Sequence, residues 1–298
     1  MNDQEFKEKY DKLKNSKFYQ QKMFGWRPLP TISCITIIFV CFAIFFIIMG
    51  IIILVFTAQV KEHKEQYYPC NDINCDYEHT KIHITEDMKK PVMVYYQVDG
   101  VIQNHRFYMD SKSDKQLKGE EVDPEELKKD KICEGAFTEK EMSYSGNSGS
   151  SNLANPCGLI AKTYFKDKFT NWKLGTDILT KEELDEEEIA YQSDIDTYEG
   201  VADKGEHFLV WMRISPFSNP RKLWGRINKD IKQNTEIEIK IEPERDYFGG
   251  NRYIILSTRN IFGGKSMFLG ICYIIAGGLS LMASVIFITT YSSFHRKN

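Results

Sequence analysis

The chain has 298 residues, a net charge of −3 and 42% hydrophobic residues. So even a charge balance excludes the strongly basic surface of a nucleic-acid binder. The length leaves room for one folded domain, not several, once two long uncharged runs are set aside.

Residues 1–31 form a leading tail in which Lys7, Lys9, Lys12, Lys14, Lys17, Lys22 and Arg27 outnumber Asp3, Glu5, Glu8 and Asp11. Phe6, Tyr10, Leu13 and Phe18 recur at helical spacing, predicting a short helix along a membrane face. Trp26, Pro28 and Pro30 end it, and Trp26 suits an interfacial anchor. No charged residue lies between Arg27 and Lys61. Residues 32–57 are the first predicted transmembrane helix, since ~1.5 Å of rise per residue covers the ~30 Å hydrocarbon slab. The run exceeds the ~7–15 apolar residues of a cleaved signal, so an uncleaved signal anchor is expected.

Residues 58–265 are predicted to fold as a mainly-β domain. Glu236–Glu242 and Lys81–Thr85 alternate apolar and polar side chains, giving half-buried strands. Val92–Val98, Phe208–Ile214 and Tyr253–Ser257 are richer in apolar residues and suit strands buried on both faces. Helical signal is confined to Glu125–Lys129, to the region around Lys181–Ile189 and to Pro220–Arg226. Loops are marked by residues 143–151 and 246–251, and the acidic stretches Glu120–Glu126 and Glu182–Glu188 read as solvated surface. The expected architecture is an antiparallel β-sandwich with helical insertions.

Residues 266–290 form the second predicted span, with no charge between Lys265 and Arg296. Ala276, Ser280 and Ser284 recur every four residues beside Gly277 and Gly278, a pattern that lets another helix approach closely. That helix can be the chain's own first span or a partner's. Neither span holds Asp, Glu, Lys or Arg, which argues against a transporter or pump. Residues 291–298, with Arg296 and Lys297, form the trailing tail. Bases beside the spans favour cytosolic placement of both tails and an extracytosolic middle domain, although Lys61, Lys64, Arg259 and Lys265 also flank the spans on the far side.

Cys34, Cys41 and Cys272 fall inside the spans. The other four lie in the middle domain, where an oxidising compartment permits disulfides. Sequence proximity favours Cys70–Cys75 and Cys133–Cys157 over the two other connectivities. Cys70, Cys75, His79 and His83 could instead bind zinc, but their spacing is shorter than the roughly dozen residues that usually separate such pairs. Cys157 with Asn104-His105-Arg106 could form a cysteine-hydrolase set only as a free thiolate, which a cystine lacks. The chain has no phosphate-binding Gly-Lys-Ser/Thr loop and no Gly-x-Ser-x-Gly elbow. Lys173–Asp177 lacks the leading Asp of an ATPase phosphorylation motif. No catalytic, cofactor or metal site is predicted, and a luminal enzyme is disfavoured.

Several blocks together carry a resemblance. They are Tyr95–Val98 with Gln103–Tyr108 and Ser111; Pro156–Ala161 with Phe165 and Asp167; Val210–Arg213 with Arg221–Gly225; and Ser257-Thr258 with Gly263-Gly264-Lys265, Phe268–Gly270 and Gly277. With Phe18–Gln21, Trp26, Pro28 and Thr31 they resemble the Cdc-fifty (ligand-effect modulator three) family, in order and in register from about residue 16 to 290. The resemblance implies a non-catalytic beta subunit and chaperone of a type IV P-type ATPase phospholipid flippase, forming a heterodimer in the lipid bilayer of the endoplasmic reticulum, Golgi, endosome or plasma membrane. It implies no cofactor and no nucleic acid. Asn104, His105, Arg106, Trp211, Met212, Arg213, Gly263, Gly264, Lys265 and Trp26 become candidate partner contacts. Two departures stand out: no Asn is followed at plus two by Ser or Thr, and only four cysteines lie in the middle domain, where some relatives have more. The rival reading is a two-pass ligand-gated ion channel, which usually carries more cysteines and a polar pore.

Overall fold

The computed structural model describes residues 3–22, 31–68, 80–129, 131–142, 151–243 and 250–295. The expectations for Trp26, Pro28 and Pro30, for the Cys70–Cys75 pair and His79, and for most of the loops at 143–151 and 246–251 lie outside them. Arg296 and Lys297 lie outside them as well.

The described α-helices are α1 (Asp3–Asn15), α2 (Ile32–Ala58), α3 (Arg106–Asp110), α4 (Asp114–Leu117), α5 (Pro124–Lys129), α6 (Glu139–Met142), α7 (Leu159–Lys162), α8 (Gln192–Thr197), α9 (Glu206–Met212) and α10 (Phe268–His295). The strands are β1 (Glu62–Tyr68), β2 (Thr80–His83), β3 (Val92–Val98), β4 (Lys168–Leu174), β5 (Asp177–Ile178), β6 (Leu184–Asp185), β7 (Arg221–Ile227), β8 (Glu236–Glu242) and β9 (Arg252–Ser257). The chain divides into two units, Met1–Ile52 with Phe268–Asn298, and Ile53–Met267.

In the first unit, α1 leaves Phe6, Tyr10 and Leu13 exposed along one side. Helices α2 and α10 are each long and apolar enough to cross a membrane, and most of each is exposed. A core helix of a soluble protein would bury such side chains. The less exposed positions step by three and four: Phe39, Ala43, Phe46 and Gly50 on α2, and Tyr273, Gly277, Ser280, Ser284 and Phe287 on α10. This is the 3.5-residue seam of two helices wound about each other. Phe39 meets Phe287 at 5.6 Å and Phe46 meets Tyr273 at 5.8 Å between ring centroids. A Cβ on Gly277 would lie 2.7 Å from Ile47 Cγ1 and 3.2 Å from the Ala43 carbonyl oxygen, so only glycine permits this approach.

In the second unit two antiparallel sheets pack face to face. One runs β1-β9-β3-β7-β6 and the other β2-β8-β4-β5. Alternation dictates the inner faces: Ile237, Ile239 and Ile241 of β8 and Val92, Val94, Tyr96 and Val98 of β3 are all buried. Trp172 of β4 stacks on Trp224 of β7 at 5.5 Å, and Phe169 lies 5.2 Å from Trp224, closing the space between the sheets. The helical insertions follow β3 and β6. The mainly-β antiparallel class with helical insertions, flanked by two candidate transmembrane helices, is as expected.

Three local expectations are overturned. Phe208–Ile214 is not a strand: residues 206–212 form α9, which buries Phe208, Leu209, Trp211 and Met212. An unbroken apolar run has no period, and one-sided burial at steps of one, three and four selects the helix. Pro220–Arg226 is not helical: Arg221–Ile227 is strand β7, paired with β3 and β6. Long-range pairing overrides local helix preference there. Lys181–Ile189 is a turn with the two-residue strand β6. The Glu183 carboxylate accepts the Thr180 amide at 3.1 Å and Asp185 accepts the Glu187 amide at 2.9 Å. These carboxylates take backbone donors that a helix would have used.

Candidate functional site

Several of the family-like blocks lie in the helical insertions. Ser111 Oγ accepts the Leu159 amide at 2.9 Å, and Gln116 donates to the Ala154 carbonyl at 2.9 Å while accepting the Cys157 amide at 3.0 Å. Gly158 adopts φ +113°, and a Cβ there would sit 2.1 Å from the Ser111 carbonyl oxygen. Glycine is therefore obligatory beside Cys157. The Cys133–Cys157 disulfide is formed, and both residues are fully buried with Leu127 and Ala154. Trp211 donates its indole N–H to the Ile160 carbonyl at 2.9 Å and stacks at 6.4 Å on Tyr96, which in turn stacks on Phe165 at 3.8 Å. Trp211 and Met212, 1% and 6% exposed, are thus interior struts that leave little surface for a partner.

Other block residues reach the surface. Asn104 Nδ2 donates to the Pro216 carbonyl at 2.7 Å, and buried Gln103 accepts the Ser215 amide at 2.9 Å, pinning two loops together. His105, Arg106, Phe107 and Phe217 are exposed on these two segments, Phe107 and Phe217 to 73% and 76%. Nearby, an open cleft of about 550 Å³ is lined by Tyr95, Tyr191, Arg213, Arg221, Lys222 and Arg259 among others. The Arg213 guanidinium lies 3.7 Å over the Tyr191 ring and Arg221 lies 4.4 Å over Tyr95, two cation–π contacts that hold flat cationic groups in place. Arg221 also pairs with Glu62 at 2.9 Å. Lys222 Nζ donates to the Arg213 carbonyl oxygen. Burial, with the Arg213 charge, lowers the Lys222 amine from 10.5 to about 8.

The chain between β9 and α10 closes on the chain between α2 and β1. The Thr258 amide donates to the Lys61 carbonyl at 3.0 Å, the Thr258 hydroxyl accepts the Lys61 amide at 2.9 Å, and Asn260 Nδ2 donates to the Phe56 carbonyl at 2.7 Å. Gly263 turns this connection at φ +104°, and Gly264 and Lys265 are exposed beyond it. On α10, Ser284 is buried, Ala276 and Ser280 are half-buried, and Gly278 faces open space. His83 is exposed on β2, and among the described residues no three metal-ligating side chains cluster.

One buried group was missed by sequence reasoning. Arg252 Nη1 donates to both oxygens of Asp167 at 2.6 and 2.7 Å, and the Tyr67 hydroxyl donates to Asp167 at 2.7 Å. Burial and the Asp167 charge raise the Tyr67 hydroxyl well above its usual range, so it remains a donor. The signal was present: an arginine opening the apolar run 252–256 must either be the strand's exposed end or have a buried partner.

The fold and these sites define a membrane protein with two candidate spans and a disulfide-stapled β-domain between them. The profile of the LEM3 (ligand-effect modulator 3) family / CDC50 family matches residues 3–204 and 200–297. The chain belongs to this family. Among relatives, the Arabidopsis thaliana proteins described as ALA-interacting subunits 2 and 3 are 30% and 27% identical, covering 94% and 93% of this chain and 87% and 86% of their own lengths. Cell cycle control protein 50A of Bos taurus is 26% identical over 91% of this chain and 87% of its own length.

Proposed function

We propose that this chain is the non-catalytic accessory subunit of a type IV P-type ATPase phospholipid flippase, needed for the pump's folding, export from the endoplasmic reticulum and lipid translocation. Membership of the CDC50 family carries the reading, and the relatives named as interacting subunits support it. Both tails face the cytosol and the β-domain is extracytosolic, consistent with a disulfide in that domain. The exposed block residues are the pump contacts: Asn104, His105 and Arg106 with Phe107 and Phe217, Arg213 in its cleft, and Gly263–Lys265. Trp211 and Met212 shape that surface from inside. Separate contacts on one anchored chain give avidity without any single strong site, and unequal contact with two pump states shifts the transport cycle.

The test is co-purification of the full chain with type IV P-type ATPases from its native membranes, identified by mass spectrometry. A pump of this class should be enriched, and Phe107→Ser with Phe217→Ser should reduce its recovery while the free chain stays folded. Recovery of no such ATPase, or ATP hydrolysis by the chain purified alone, would overturn the reading.

A further inference from the structure

Where α2 ends, the β-domain holds a second open cleft, of about 590 Å³. Part of its lining is apolar: Phe56 of α2, Val60 just beyond it, and Ile261, which is 84% exposed. The lining also carries Lys61, Lys89, Lys90 and Arg259 against one carboxylate, Asp87. Asp87 is engaged by the Gln233 amide at 2.7 Å, and Lys61 is held by Glu86 at 3.1 Å. Asp230 accepts the Lys90 backbone amide at 2.8 Å, fixing the loop and leaving the ammonium outward. Among the described residues, no carboxylate lies within ion-pair distance of the Lys89, Lys90 or Arg259 side chains.

Three unneutralised cations in one cleft repel each other, and an anion relieves the repulsion. The cleft begins on the last turn of a candidate span, at the level where a helix leaves hydrocarbon for headgroups. Its mixed lining, aromatic and aliphatic side chains together with cationic ones, matches a molecule that carries both a greasy part and an anionic group. We propose that this cleft binds a membrane phospholipid through its phosphate, with Lys89, Lys90 and Arg259 as the charged contacts. An acidic segment of a protein partner would match the cations but leave Phe56, Val60 and Ile261 unused.

The chain alone suffices for the test, so its outcome is independent of the flippase reading. The full chain, purified in detergent, is titrated with phosphatidylglycerol and, separately, with diacylglycerol of the same acyl chains, and bound lipid is counted by native mass spectrometry. Phosphatidylglycerol should be retained and diacylglycerol lost. Each basic residue near a lipid surface is worth ~1 kcal/mol, or ~5-fold, so Lys89→Gln/Lys90→Gln/Arg259→Gln should need more than tenfold more phosphatidylglycerol. Lys89→Arg/Lys90→Arg should bind normally. If the triple variant fails to fold, Arg259→Gln alone, at an exposed position, should still cost ~5-fold. Equal retention by the glutamine variants, or equal retention of diacylglycerol, would overturn the proposal. Displacement by glycerol 3-phosphate at concentrations matching the lipid would assign the cleft to a soluble phosphate and overturn the lipid assignment. Unchanged lipid binding with loss of a co-purifying protein would hand the cleft to an acidic partner segment.

Discussion

The interior of the β-domain and the cleft at the end of α2 use positive charge in opposite ways. Arg252 is buried against Asp167, and the Tyr67 hydroxyl completes the arrangement. Lys89, Lys90 and Arg259 are exposed, and among the described residues no carboxylate lies within ion-pair distance of them. A buried charge must find its counter-charge within the chain, because desolvation costs several kcal/mol per ion. An exposed one can wait for a ligand. The comparison separates residues that hold the molecule from residues available to bind something, and it divides the family-like blocks in the same way: Trp211, Met212 and Asp167 belong inside, Arg106 and Arg213 outside.

The largest effect should come from breaking the interior pair. Arg252→Met takes the guanidinium charge away from the buried Asp167 carboxylate and should cost about 3–5 kcal/mol, read by chemical unfolding of the full chain in detergent. Adding Asp167→Asn should recover part of that loss, and no recovery would mean that Arg252 acts by packing alone. Next in size is the disulfide. Cys133 and Cys157 are 24 residues apart, and opening a loop of that size should cost roughly 3 kcal/mol. Cys133→Ala should therefore lower the unfolding midpoint, and its insensitivity to reductant would confirm that the loss is the bond itself.

Overpacking the span seam should cost less. Gly277→Leu forces a side chain into Ile47 and Ala43, with an expected penalty of about 1–3 kcal/mol. Gly278→Leu, into open space, should cost far less, and equal penalties would refute the seam. Lys222 gives the smallest shift and a distinctive pH signature. Its amine is near 10.5 in the unfolded chain and about 8 in the folded one, so between those values the unfolded chain binds more protons and stability rises with pH. The unfolding midpoint should climb from pH 8 to about 9.5. Above ~10 the buried tyrosines Tyr67 and Tyr96, whose hydroxyls are held well above their usual range, should reverse the slope. Lys222→Met should flatten the climb and gain about 1 kcal/mol at neutral pH, the relieved desolvation less the lost hydrogen bond.

The strands legible in advance were those whose neighbours imposed a period. Ile237, Ile239 and Ile241 alternate with Glu and Lys because one face of β8 meets the core and the other meets water. The segments misread, Phe208–Ile214 and Pro220–Arg226, carry patterns compatible with either state, and contacts more than a hundred residues away chose between them: Tyr96 for Trp211, and β3 for β7. The candidate site shows the same limit. The blocks could be quoted from the sequence, but their division into buried struts and exposed contacts could not.

By itself the sequence determined the two apolar helices and the β-rich middle and favoured the Cys133–Cys157 pairing, because hydrophobic period, run length and cysteine spacing are local quantities. Tertiary structure alone decided that Arg252 belongs to Asp167, that Gly277 belongs to Ile47, and that lysines from the turn before β3 share a cleft with Arg259 beyond β9. Those are meetings between distant parts of the chain, fixed by sheet register and helix packing, and no local pattern encodes which of many possible partners a side chain will meet.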